Sequence, residues 1–154
     1  MRIKSMLIML LLGAFTFGCS EEEILSPLEQ LEQDEETIDQ FLADNSITAQ
    51  TDPSGLRYVI TTEGQGDQPS ISDNVRVSYE GRFLSNGNVF DASPDIQFPL
   101  SGVILGWQIG LQLMREGGAA TLYLPSGLAY GRGGTTGIPP NSILIFDVTL
   151  KEIN

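Results

Sequence analysis

With no histidine and a single cysteine, Cys19, the chain cannot assemble the usual zinc clusters or a Cys-His or Ser-His nucleophile pair within one molecule. Its distinctive side chains are aromatic instead. The only tryptophan, Trp107, lies inside the most apolar short segment, Val103-Ile104-Leu105-Gly106-Trp107-Gln108-Ile109-Gly110-Leu111-Gln112-Leu113-Met114. Ile104, Trp107, Leu111 and Met114 recur at helical spacing, which predicts one inward face of a short helix opened by Trp107. Glycines at 102, 106, 110, 117 and 118 keep that helix to about two turns, because interior glycine is costly and Gly117-Gly118 is a natural stop. Taken alone, a tryptophan in such a segment is more often core than ligand site. The glycine-rich stretch Gly131 to Gly137 lacks the Lys-Ser/Thr of a phosphate loop, so it is not a nucleotide cradle.

A helix of two turns cannot stand alone and must be cradled by strands. Leu56 to Thr62 is the first predicted strand, after the turn cluster Asp52-Pro53-Ser54-Gly55. Asn74 to Phe83 is the second, with Val75, Val77 and Tyr79 alternating against Arg76, Ser78 and Glu80. Ser85-Asn86-Gly87-Asn88 is a hairpin turn leading into Val89-Phe90. Ala119 to Leu124 alternates again, a Gly/Pro-rich loop spans Pro125 to Asn141, and Ile143 to Ile153 is the last strand. The expected fold is therefore α+β, a curved antiparallel sheet of about five strands wrapped around one short helix.

Charge separates this domain from what precedes it. Of 20 acidic residues, 11 lie between Glu21 and Asp52, where there is no Lys or Arg, leaving 9 acids against 6 bases from Pro53 onward. So acidic a surface repels phosphate backbones and makes nucleic acid an unsuitable partner. Ser26-Pro27-Leu28-Glu29 reads as a helix start with a capping box, and the helix is expected to end around Asn45. Leu28, Leu31, Ile38, Phe41 and Leu42 fall near one face, a pattern read as a solvated spacer in preference to a dimerisation helix.

Arg2 and Lys4 precede the apolar run Met6 to Phe17, which ends in Gly18-Cys19, the pattern of a secretory signal. The run is too short to span a membrane, which takes about 20 apolar residues. Cys19 has no partner for an internal disulfide, and its place resembles the lipobox of bacterial lipoproteins. That resemblance implies residues 1–18 as signal peptide, 19–52 as a lipidated acidic tether with a helical segment, and 53–154 as the functional domain. It further implies anchoring at the bacterial envelope. Ser20 followed by Glu21-Glu22-Glu23 is similar to an export signal to the outer membrane.

From Gly55 to Ile153 the ordered motifs resemble the FKBP-type peptidyl-prolyl cis-trans isomerases. They are Val77-Ser78-Tyr79-Glu80-Gly81, Gly87-Asn88-Val89-Phe90-Asp91-Ala92-Ser93, Phe98-Pro99-Leu100, Val103-Ile104-Leu105-Gly106-Trp107 and Gly110-Leu111-Gln112-Leu113-Met114. Leu124-Pro125-Ser126-Gly127-Leu128-Ala129-Tyr130-Gly131 and Ile138-Pro139-Pro140-Asn141-Ser142-Ile143-Leu144-Ile145-Phe146-Asp147-Val148 complete the set. The resemblance implies an aromatic pocket that takes a proline ring, with Trp107 as floor, Tyr79, Phe90 and Phe146 as walls, and Val103, Ile104 and Ile138 at the rim. Phe98 would back the pocket. Tyr130 would offer a hydroxyl and Ile104 a backbone N–H, with Asp91 beside the twisting amide. Pro94-Asp95-Ile96 stands where members often carry a basic residue against Asp91, so Ile96 is not assigned to the pocket. The implied partners are proline-containing polypeptides and the macrolide inhibitors of the class, with no cofactor and no metal. A different reading of the same resemblance is a non-catalytic binding or chaperone module of an envelope assembly. The intact aromatic set favours the isomerase.

Overall fold

The computed structural model describes residues 24–154, and the expectations for the basic start, the apolar run and Cys19 lie outside the described residues. Helix α1 spans Pro27–Asp44. Its start closes as the capping pattern requires: the Ser26 hydroxyl accepts from the Glu29 N–H at 3.2 Å, and the Glu29 carboxylate accepts from the Ser26 N–H at 2.7 Å. Its end falls at Asn45, whose N–H returns to the Phe41 carbonyl at 3.1 Å.

Six strands follow: β1 (Gln50–Thr51), β2 (Arg57–Thr62), β3 (Asn74–Phe83), β4 (Val89–Pro99), β5 (Ala119–Leu124) and β6 (Leu144–Ile153). They form one antiparallel sheet in the order β1-β2-β5-β6-β3-β4. Between β4 and β5 lies α2, Leu105–Gln112. The inward residues of the central strands, Leu122, Leu124, Leu144, Phe146, Val148 and Leu150, join Trp107 and Leu111 of α2 in the main core. Their alternate neighbours Tyr123 and Ile145 pack on the other face against Ile38 and Leu42 of α1. One sheet thus carries a helix on each side, and strand periodicity decides which residue serves which helix.

Three expectations change here. The acidic helix is docked, not a solvated spacer: Ile38 is fully buried and Leu42 nearly so. Arg57, itself buried, ties the helix down through Asp39 (2.9 and 2.8 Å) and Glu35 (3.2 Å), and donates to the Gly55 carbonyl (2.9 Å) in the turn before β2. The strand expected at Val89-Phe90 continues to Pro99, because Ser78 faces both Pro94 and Asp95 in a bulge between the pairs Val77–Ile96 and Tyr79–Ser93. Proline is tolerated there, since β4 is an edge strand. The bulge is held by Arg76, which grips Asp95 at 2.8 and 2.5 Å, and by the Lys151 ammonium, which donates to the Pro94 carbonyl at 2.6 Å. Finally, Trp107 does not open α2. The helix begins two residues earlier, and the Ile104 carbonyl accepts from the N–H groups of Trp107 (3.0 Å) and Gln108 (3.1 Å).

The glycines of α2 serve close packing against β5. A Cβ on Gly106 would stand 2.3 Å from Leu124 Cδ2 and 2.5 Å from its Cγ, and one on Gly110 would stand 2.6 Å from Leu122 Cδ1. In an exposed helix Gly→Ala stabilises by about 1 kcal/mol, but here overpacking dominates, so Gly106→Ala is expected to cost about 1–3 kcal/mol. Denaturant unfolding checks the sign, and a stabilised variant would contradict this packing.

Candidate functional site

One cavity of about 370 Å³ opens beside α2. Tyr79 reaches it from β3, Phe90, Asp91 and Phe98 from β4, and Phe146 from β6. Val103 and Ile104 line it from the segment before α2, Trp107 from the helix, and Tyr130 from the loop after β5. Nine of the ten pocket residues expected from the sequence therefore share one wall system. The exception is Ile138. It is absent from the lining, 6% exposed and part of the main core. Its backbone pairs with Thr135 in both directions at 2.9 Å, a tight hairpin that turns the side chain inward. Two residues were missed, Ile96 and Gly102. Ile96 sits two residues before Phe98 on the same strand face, a signal hidden by the bulge at Pro94-Asp95.

The rings form an ordered set. Trp107 meets Tyr79 edge-on (centroids 5.0 Å apart, 86°) and Phe146 edge-on (5.2 Å, 85°), while Phe90 stands perpendicular to Phe146 (5.6 Å, 90°). Phe98 leans on Trp107 at 5.4 Å. Such edge-to-face pairs suit the ring quadrupoles and fix each wall against its neighbour. Gly81 makes this arrangement possible: a Cβ there would stand 2.7 Å from both the Phe146 and Phe90 rings.

Polar groups are few and directional. The Tyr79 hydroxyl donates to Asp91 Oδ2 at 2.5 Å. Burial, then the hydrogen bond to the Asp91 carboxylate and its charge, push the phenol up to about 12, so Tyr79 stays a neutral donor at physiological pH. The N–H of Ile104 donates to no acceptor among the described residues and lies at the lip formed by the start of α2. The buried Trp107 Nε1 also has no partner among them. Among the described residues no Lys or Arg lines the cavity, and Asp91 is its one carboxylate. An apolar, uncharged group bearing a carbonyl acceptor is the ligand this lining fits.

The model of the family described as FKBP-type peptidyl-prolyl cis-trans isomerase matches residues 66–151. The chain belongs to that family. It is 43% identical over 107 residues to the FKBP-type peptidyl-prolyl cis-trans isomerase FkpA of Escherichia coli, covering 67% of this chain and 39% of the relative. It is 43% identical over 114 residues to the peptidyl-prolyl cis-trans isomerase Mip of Coxiella burnetii, covering 71% and 49%. The chain thus spans less than half the length of these curated relatives. Among solved structures, FkpA from Escherichia coli superposes with a TM-score of 0.71 at 36% identity, covering 81% of this chain and 63% of that one. A peptidyl-prolyl cis-trans isomerase from Pseudomonas syringae gives 0.70 at 30% identity, covering 85% and 98%. The FKBP-type match includes every cavity residue and begins after α1, β1 and β2, so the docked acidic helix lies outside it.

The Tyr79 shift has a measurable consequence. Its folded value of about 12 lies above the ordinary 10.0, so the folded state holds this proton more tightly. The associated stability is complete below pH 10 and lost as pH rises toward about 12. Tyr79→Phe is therefore expected to flatten the alkaline fall of unfolding free energy across that window. A fall as steep as in the parent chain would contradict the assignment.

Proposed function

We propose that this protein is a peptidyl-prolyl cis-trans isomerase that assists the folding of secreted or envelope proteins. The supporting observation is the set of edge-on rings around Trp107, an apolar cavity ringed by a few fixed donors and free of cations. Rotation about an X-Pro bond faces a barrier near 20 kcal/mol because amide resonance must be lost, and no bond breaks. No nucleophile or metal is required, which suits a chain without histidine. In this reading the proline ring sits over Trp107, between Tyr79, Phe90 and Phe146, with Phe98 and Ile96 behind and Val103 and Ile104 at the rim. The Ile104 N–H and the Tyr130 hydroxyl bind carbonyls flanking the rotating bond, and Asp91, oriented by Tyr79, faces the twisting amide.

Such a site lowers the barrier by fitting the twisted amide better than either planar isomer. Stripping water from the amide carbonyl weakens the charge separation on which resonance depends. A preference of about 7 kcal/mol corresponds to about five powers of ten in rate. FKBP-directed macrolides are expected to occupy the same cavity. We also propose that residues 1–18 are a signal peptide, that Cys19 carries the lipid anchor of an acidic tether over 19–52, and that the isomerase domain of 53–154 is thereby held at the bacterial outer membrane.

The test of activity is the rate of cis-to-trans conversion of a hydrophobic-X-Pro peptide by residues 20–154, with and without macrolide. Fast, inhibitable conversion is expected, with Phe90→Ala lowering kcat/KM by about tenfold to a hundredfold while the fold is kept. A folded chain with no rate above the uncatalysed background would make it a non-catalytic binding module. For the anchor, Cys19→Ser is expected to leave an uncleaved or unanchored product, and unchanged membrane fractionation of that variant would contradict it.

A further inference from the structure

The docked helix reaches the cavity loop through one buried carboxylate. Asp34, on α1, is 3% exposed and has no cation beside it among the described residues. Its Oδ2 accepts from the Ser126 N–H at 2.7 Å and from the Ser126 hydroxyl at 2.5 Å, while its Oδ1 is held by the Gln30 side-chain amide at 2.8 Å. Ser126 is 1% exposed and begins the 3-10 turn Ser126–Leu128. Within that turn Leu128 N–H returns to Pro125 and Ala129 N–H to Ser126, each at 3.0 Å, and the next residue is Tyr130. Beyond Tyr130 the Gly131 carbonyl accepts from the Asn141 N–H at 2.8 Å. Tyr130 therefore sits on a short bridge clamped at both ends.

Among the described residues no hydrogen bond holds that side chain. Tyr130 is 38% exposed, and its hydroxyl has no partner among the described residues, so its place over the cavity is set by the backbone that carries it. Ile38 and Leu42 on Tyr123 and Ile145, together with the Arg57 ion pairs, hold α1 at other points. The Asp34 contact adds a fixed point at the root of the Tyr130 loop, from a helix outside the family match.

We propose that Asp34 is a positioning residue, acting through Ser126 to set the Tyr130 hydroxyl at the cavity, so that α1 is part of the working site. Its kinetic consequence rests on the isomerase reading; its effect on loop order does not. The test uses the full-length chain in detergent and two readouts, amide hydrogen exchange over Leu128–Gly131 and kcat/KM for an X-Pro peptide. Asp34→Ala is expected to speed exchange in that segment by about tenfold without change in α2 or β6, and to lower kcat/KM by about tenfold. Tyr130→Phe in the Asp34→Ala background is expected to add no further loss, because both changes act on the same hydroxyl. Asp34→Asn keeps an acceptor oxygen and is expected to restore most of the activity. Leu42→Ala, which loosens the far end of α1, is expected to lower Tm while sparing both readouts. Ser126→Ala keeps the N–H bond to Asp34 and is expected to give smaller shifts in the same direction, which decides the matter should Asp34→Ala not fold. Unchanged exchange in the loop, or losses that multiply in the double variant, would overturn the proposal. If the parent chain proves to have no isomerase activity, exchange alone still decides whether Asp34 orders the loop.

Discussion

The cavity takes its shape from one indole, and that indole is placed by how closely an eight-residue helix lies against β5. A helix so short has little stability of its own. What holds it is burial of Trp107 and Leu111 among the inward side chains of the central strands, at a separation that only Gly106 and Gly110 permit. With the helix seated, Tyr79 and Phe146 close on the indole edge-on, and Gly81 lets Phe90 complete the wall. Trp107, Tyr79, Phe146 and Phe90 come from four different elements, so the cavity exists only when β3, β4, β6 and α2 are all in register. Site and core are thus largely the same set of contacts.

The same economy governs the polar groups. A cavity that excludes water strengthens every fixed dipole inside it. Among the described residues the cavity's one carboxylate, Asp91, is oriented by a phenol that remains protonated, and the Ile104 N–H is left unpaired because it lies at the start of a helix. In the proposed reaction these groups meet a substrate that changes shape without exchanging atoms. What is asked of the protein is rigidity and selectivity for one geometry, which interlocked rings and a clamped loop supply.

What could be read from the sequence was what is local. The capping box at Ser26, the alternation of Asn74 to Phe83 and of Ala119 to Leu124, and the apolar face around Trp107 each involve residues a few positions apart, and each element formed there. Nine of the ten residues that the ordered motifs pointed to line one cavity. The misses depend on distant partners. The docking of α1 needs Arg57 to meet Asp39, 18 residues earlier, and the continuation of β4 past Pro94 needs Arg76 and Lys151 from two other strands. The start of α2 had no capping side chain to announce it. Ile138 stands in a motif beside pocket residues, yet a hairpin with Thr135 turns it into the core.

The most direct measurement is a comparison of affinities read from the fluorescence of the single tryptophan, Trp107. The chain would be titrated with a planar X-Pro peptide and with a prolyl α-ketoamide of matched substituents, whose carbonyls stand out of plane as in the twisted amide. Binding of the twisted mimic at least about a hundredfold more tightly is the expected result, since a site shaped for the rotated state must prefer it. Equal affinities would contradict catalysis by differential binding in this cavity.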